Sequence, residues 1–367
     1  MRNIGSCLPR AAGSLWLAAA AFAGSDPQAP PQPPKPMTGL IWMCGPLSEG
    51  QTLIQNVEKT LGANPSLSGV FVNCRWADLE PEQGQFSWET LDALTETIRR
   101  HGRFYKLLMT PGAYTPEWVY KLGAQAFETL GPNPYREATY NKPLRIPVPW
   151  DEVFLREFER LARALGQRYG ADPLCAAVGV TGANFQSAEM HLPKSPADRE
   201  KWEALDYRPN LRQAYRRYID LFAEAFPRQR LCLHVSTAIS ADDGIVEDAA
   251  AYGAERYPDR FTLQNCQLSG KSDTRDQFSY ALIQKYADRL HVGYQSLALL
   301  GSARQGNSQV SVFNFVRGQG EYWELWRGNG QDPQLCAWLL DEIARAKAMG
   351  PEAYRAELEA KGLLRSQ

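Results

Sequence analysis

LCAAVGVTGANFQSAEMHLP, Leu174 to Pro193, falls into two halves of opposite character. From Leu174 to Val180 the residues are small and apolar without a break. That is the pattern of a strand covered on both faces in a parallel sheet, where neither side is left to water. The second half turns polar at once and sets Asn184, Gln186, Glu189 and His191 just past the strand's carboxyl end. Parallel α/β sheets bind ligands at that end. A single loop glutamate is as often a solvated surface group, so the reading depends on what the other strand ends bring.

Working outward, short apolar runs alternate eight times with stretches of helical period. The expected strands are Leu40 to Cys44, Gly69 to Cys74, Phe104 to Thr110, the quoted run, Leu231 to Ser236, Phe261 to Cys266, His291 to Gln295 and Glu321 to Trp326. Helices are expected at Gln51 to Leu61, after an N-cap at Ser87, at Trp150 to Tyr169, Asn210 to Phe226, Asp243 to Tyr257, Thr274 to Ala287, Asn307 to Arg317 and Asp332 to Met349. A further short helix is expected near Ser195 to Leu205. The strongest of them carries Phe154, Leu155, Phe158, Leu161 and Leu165 on one face. Pro111 to Pro149 reads as a long connection of the kind used for functional loops or lids. Eight strand-helix repeats specify the α/β class, as a single (β/α)8 TIM barrel over residues 38–367. No second domain is expected.

Composition narrows the partners. Forty Lys and Arg against forty-one Asp and Glu leave a formal net charge of -1, with no basic run. Nucleic acid and anionic membrane surfaces are therefore disfavoured. Arg2 and Arg10 precede an apolar run, Ala11 to Ala23, that ends in Ala21-Phe22-Ala23. Residues 1–23 read as an export signal, too short to span a bilayer, so a periplasmic or extracellular location is expected, without membrane insertion once the signal is removed. Residues 24–37 read as a proline-rich linker. Beyond Cys7, the cysteines at 44, 74, 175, 232, 266 and 336 are widely spaced without a CxxC pair. Zinc is disfavoured, and no metal or other cofactor is expected. Buried free thiols are favoured over a Cys44–Cys74 or Cys175–Cys232 disulfide.

The strand ends gather Arg75, Trp118, Asn184, His234, Tyr294, Gln295 and Trp326 as candidate contacts. Amides hydrogen-bond hydroxyls and aromatic rings stack on apolar sugar faces, so this mouth suits a neutral, polyhydroxylated carbohydrate. Glycoside hydrolysis needs a pair of carboxyl groups flanking the scissile bond. Glu189 and Glu324, from strands four and eight, are the candidate pair. Glu321, three residues earlier in the same strand, points to the other face. Arg75 either clamps a catalytic carboxylate or neutralises a buried one. His234, inside LCLHVS, is more often a core histidine than a ligand contact.

Trp76-Ala77-Asp78-Leu79-Glu80-Pro81, with Gly84, Phe86, Leu91 and Asp92, resembles the second strand and helix of retaining glycoside hydrolases of the β-galactosidase family 42 kind. Thr110-Pro111 with Pro116 and Trp118 is similar to those proteins' third strand end. The resemblance covers about residues 39 to 120. It implies a barrel using glutamates, with an Asn-Glu pair ending strand four and a nucleophile ending strand seven. Here Asn184 is followed by Phe185, the nearest glutamate is Glu189, and strand seven ends at Gln295. Either the catalytic pair has moved to Glu189 and Glu324, or the strand count is displaced, or the barrel binds sugar without cleaving it.

Overall fold

In a computed structural model describing residues 36–131, 138–240, 242–271 and 277–364, ten strands form. They are β1 (Gly39–Pro46), β2 (Leu67–Arg75), β3 (Phe104–Thr110), β4 (Ala126–Leu130), β5 (Pro143–Pro147), β6 (Cys175–Val180), β7 (Arg230–Val235), β8 (Phe261–Leu268), β9 (His291–Ser296) and β10 (Tyr322–Leu325). Eight close a parallel barrel in the order β1-β10-β9-β8-β7-β6-β3-β2, and every neighbouring pair is parallel. All eight expected strands are present, and the barrel is the single (β/α)8 fold. The expected signal and all but the last two residues of the expected linker lie outside the described residues.

Parallel strands must be joined by long crossovers, and helices fill them. Each buries an apolar stripe against the outside of the barrel. The helix Glu152–Tyr169 is capped by Asp151, whose carboxylate accepts from the Phe154 N–H at 2.8 Å, and it buries Phe154, Leu155, Phe158, Leu161 and Leu165. Ser87 is not the N-cap of its helix. Its N–H is held by the Leu79 carbonyl at 2.8 Å, so the chain is still turning there and the helix runs Glu89–Arg100, with Trp88 as N-cap. Of the helix expected from Thr274, Phe278–Gln284 is helical and 272–276 lie outside the described residues.

The long connection after β3 is not a bare loop. Its β4 and β5 form an antiparallel hairpin, with Phe127 opposite Ile146, and Phe127 stacks on Trp202 at 3.6 Å between ring centroids. Trp202 belongs to the helix Pro196–Ala204, which follows β6. The hairpin is thereby fastened to the neighbouring loop. Inside the barrel a small cluster, Met37, Ile41, Phe71, Leu108, Ala177 and Tyr322, packs along the axis. No helix among the described residues is long and apolar enough to cross a membrane.

The carboxyl-terminal helices Pro333–Met349 and Pro351–Ala360 are joined through Glu342, which accepts from Arg345 at 2.7 and 3.0 Å and from Tyr354 Oη at 2.7 Å. Those donors, Arg345 first, hold its carboxyl down at about 2 against an ordinary value of 4.5. A carboxyl depressed in the folded state stabilises above its unfolded pKa and stops doing so as pH falls through the folded one. In thermal unfolding from pH 6 to pH 2, Glu342→Gln should melt below the parent at pH 6, and the gap should close between about pH 4.5 and 2. A gap independent of pH would show that the contact matters only as packing.

Candidate active site at the barrel mouth

The loop after β6 folds back over the barrel, and its geometry follows from a few bonds. Asn184 Nδ2 donates to the Ala188 carbonyl at 2.9 Å while its Oδ1 accepts from Tyr215 Oη at 2.9 Å. Phe185 N–H donates to the His191 carbonyl and Met190 N–H to the His234 carbonyl, both at 3.0 Å. Ala188 joins the axial cluster from above. Glu189 is therefore carried, partly exposed, on a loop anchored to the strand ends.

Beneath the mouth lies a closed polar network. Lys106 Nζ, from β3, reaches Glu324 Oε1 at 2.7 Å, His234 Nε2 at 2.8 Å and Gln264 Oε1 at 2.5 Å. Gln264 Nε2 donates to Glu324 Oε2 at 2.7 Å, and Tyr322 Oη donates to Gln264 Oε1 at 2.5 Å. All five side chains are fully buried. Burial pulls the Lys106 ammonium down, but Cys232 and Glu324 more than offset it, so it stays above its ordinary value. Burial and then Lys106 push His234 well below 6.5. The imidazole is thus neutral and accepts at Nε2, while its Nδ1 has no hydrogen-bond partner. Burial raises the Cys266 thiol, and Glu189 and Glu324 raise it further.

The residues expected at the site divide accordingly. Glu189, Arg75 and Gln295 are partly exposed and Trp326 stands at the rim, 37% exposed. Arg75 lies over the Tyr114 ring at 4.5 Å. It does not clamp Glu324, whose cation is Lys106. Glu324 is not at the surface of the mouth, because β10 runs to Leu325 and leaves it inside the strand. His234 is a core residue. Tyr294 faces the helices, since strand alternation turns Gln295 inward and Tyr294 outward; it packs on Tyr280 and Phe315 and donates to the Gly318 carbonyl at 3.0 Å. Trp118 is buried edge-on to Trp76 and donates to the Glu80 carbonyl at 3.2 Å. Asn184 is consumed in shaping its own loop.

One residue of the network went unread, and a second, Asp78, was seen only as part of the strand-two end. Lys106 was signalled by a lone cation in the apolar strand FYKLLMT, which must find a partner once buried. Asp78 sits in the turn after β2, with its carboxyl raised by burial despite Arg75 and one oxygen without a hydrogen-bond partner. Among the described residues no cluster of His, Cys, Asp and Glu could hold a metal ion.

The family model described as "Beta-galactosidase" matches residues 59–221. That span includes the loop carrying Glu189 and stops before Gln295 and Glu324. No curated protein matches the sequence. The chain is similar in structure to the catalytic domain of β-amylase from Paenibacillus polymyxa, with a TM-score of 0.58 at 11% identity over 85% of this chain and 100% of that one. It is similar to the β-galactosidase of the Antarctic haloarchaeon Halorubrum lacusprofundi, with a TM-score of 0.53 at 14% identity over 83% of this chain. It is also similar to that of the psychrophilic Marinomonas ef1, with a TM-score of 0.51 at 11% identity over 86% of this chain. The chain spans 58% and 61% of the lengths of those two β-galactosidases. The closed parallel barrel makes this chain a single (β/α)8 barrel, and over residues 59–221 it matches the β-galactosidase family of glycoside hydrolases.

Proposed function

We propose that the chain cleaves glycosidic bonds in a neutral oligo- or polysaccharide, outside the cytoplasm if residues 1–23 act as the export signal they resemble. Glu189 serves as the general acid that protonates the leaving oxygen. Arg75, Gln295 and Trp326 position the sugar. The observation that supports this reading is the loop after β6, whose hydrogen bonds from Asn184, Phe185 and Met190 hold Glu189 partly exposed at the ligand end of the barrel. Glu324 lies beneath the mouth, held by Lys106 and Gln264. Enclosed and with both oxygens occupied by Lys106 and Gln264, it is not placed to attack an anomeric carbon, and no covalent glycosyl intermediate is assigned to it.

Positioned acid-base catalysis contributes about 10²–10⁴-fold. Glu189→Gln should lower kcat/KM on alkyl glycosides and on oligosaccharides by that factor. It should lower turnover of dinitrophenyl glycosides much less, because that leaving group departs without a proton. Full activity of the variant on alkyl glycosides would remove Glu189 from the mechanism. If the parent turned over none of a panel of aryl glycosides and polysaccharides but still bound sugar by calorimetry, the barrel would be a binding protein instead.

A further inference from the structure

Glu189 stands between two fixed points of backbone. After it, the Met190 N–H donates to the His234 carbonyl of β7 at 3.0 Å. Before it, the Ala188 carbonyl accepts from Asn184 Nδ2 at 2.9 Å. The first contact is made to a barrel strand and is as rigid as the wall. The second is only as fixed as the Asn184 amide, and that amide is set by a residue from outside the mouth. Tyr215, on the helix Tyr207–Ala225 that packs on β6 and β7, brings its Oη to 2.9 Å from Asn184 Oδ1.

Hydrogen-bond chemistry leaves one arrangement for this chain. A carbonyl only accepts, so the Asn184 NH2 faces Ala188 and its oxygen faces Tyr215, whose hydroxyl therefore donates. Burial holds the Tyr215 phenol well above its ordinary 10, so the proton is present at any working pH. Both side chains are buried, Asn184 at 3% and Tyr215 at 1% exposure. Loss of the hydroxyl would leave an enclosed amide oxygen without its donor, and the amide free to turn away from Ala188. The Tyr215 ring itself is held edge-on to Tyr218, with centroids 5.6 Å apart, a contact it makes with or without its hydroxyl.

We propose that Tyr215 is a positioning residue for Glu189: through Asn184 it fixes the turn of residues 184–188 and with it the place from which the acid delivers its proton. The inference rests on the proposed role of Glu189 and adds a residue, on a helix outside the barrel, that acts without touching substrate.

Tyr215→Phe in the full chain keeps the ring and removes the donor. On alkyl glycosides its kcat should fall by about 10–10²-fold with KM unchanged, within the cost of a displacement near 1 Å. Dinitrophenyl glycosides, whose leaving group departs without a proton, should turn over as in the parent. Asn184→Ala breaks the relay at its middle and should show the same pattern, and adding Tyr215→Phe to it should cost nothing further, because groups acting through one link are not additive. Tyr354→Phe removes a buried tyrosine hydroxyl from Glu342 in the closing helices and controls for lost stability alone. Hydrogen exchange over residues 184–191 reads the loop without turnover; it should quicken by about tenfold in Tyr215→Phe, the effect of one hydrogen bond, and not in Tyr354→Phe. Equal losses on both glycoside classes, a further loss in the double variant, or unchanged exchange overturns the relay. Quickened exchange in a chain whose Glu189→Gln variant keeps full activity on alkyl glycosides, or which cleaves no glycoside, would discard the acid and leave Tyr215 a support of the loop alone. A Glu189→Gln loss confined to alkyl glycosides, with Tyr215→Phe indistinguishable from the parent, would keep the acid and discard the relay.

Discussion

Replacing Lys106 with methionine is expected to destabilise the barrel by about 3–5 kcal/mol, the cost of leaving one member of a buried ion pair without its partner. The substitution leaves Glu324 enclosed without its cation, strips His234 Nε2 of its donor and leaves Gln264 Oε1 with Tyr322 Oη alone. At roughly 2–4 °C per kcal/mol for a domain somewhat smaller than this one, the midpoint should fall by about 10 °C. The double variant Lys106→Met/Glu324→Leu should recover most of that, because replacing both members of a buried pair by apolar groups is often neutral or stabilising. Chemical denaturation of the parent, single and double variants decides the matter. If the single variant cost less than about 1 kcal/mol, or the double were no better, the interior pair would not be holding the barrel as described.

Gly112→Ala should damage both stability and activity. Gly112, just after β3, has φ of +47°, and a Cβ there would lie 1.7 Å from the Asn184 carbonyl oxygen and 2.3 Å from that of Phe185. Left-handed backbone costs a non-glycine residue roughly 1–2 kcal/mol, and the collision adds about 1–3 kcal/mol of overpacking. The strand-four loop must retreat, taking Glu189 with it, and a displacement near 1 Å can cost about 10²-fold in rate. Gly84→Ala is the control, since φ is +77° but nothing lies within 4 Å of the added carbon. It should show the strain alone. Equal melting points and equal kcat/KM in the two variants would mean that the loop tolerates the intrusion.

The barrel was legible because a strand covered on both faces has no polar option: VGV in β6, LCL in β7 and VFV in β2 declare themselves without alternation. The hairpin was not. In β4 and β5 the charged Glu128 and Arg145 and the prolines 143 and 147 break an already short signal, and proline is ordinarily confined to strand edges. At the site, the strand ends were found but not which way each side chain turns. Tyr294 and Gln295 are adjacent and face opposite sides, so one supports the core and the other the mouth. Glu324 was placed at a strand's end, but it lies two residues short of Trp326, which does reach the rim. The partner of Glu324 lies 218 residues earlier in sequence, and only barrel closure brings β3 and β10 to opposite walls of one interior. A buried lysine announces that it needs a partner but not which one.

The six cysteines of the described residues are free and buried. Burial raises the Cys44 thiol to about 12, the Cys266 thiol well above its ordinary range and the Cys232 thiol above it. Thiolate is the reactive form, and none of these sulfurs offers it to solvent while the fold is intact. The chain therefore carries its own reporter of opening. Modification by an aromatic disulfide reagent should be silent in the native state and proceed only through excursions that expose the strands. The labelling rate, compared among β1, β7 and the closing helix that holds Cys336, would show whether the barrel opens strand by strand or all at once.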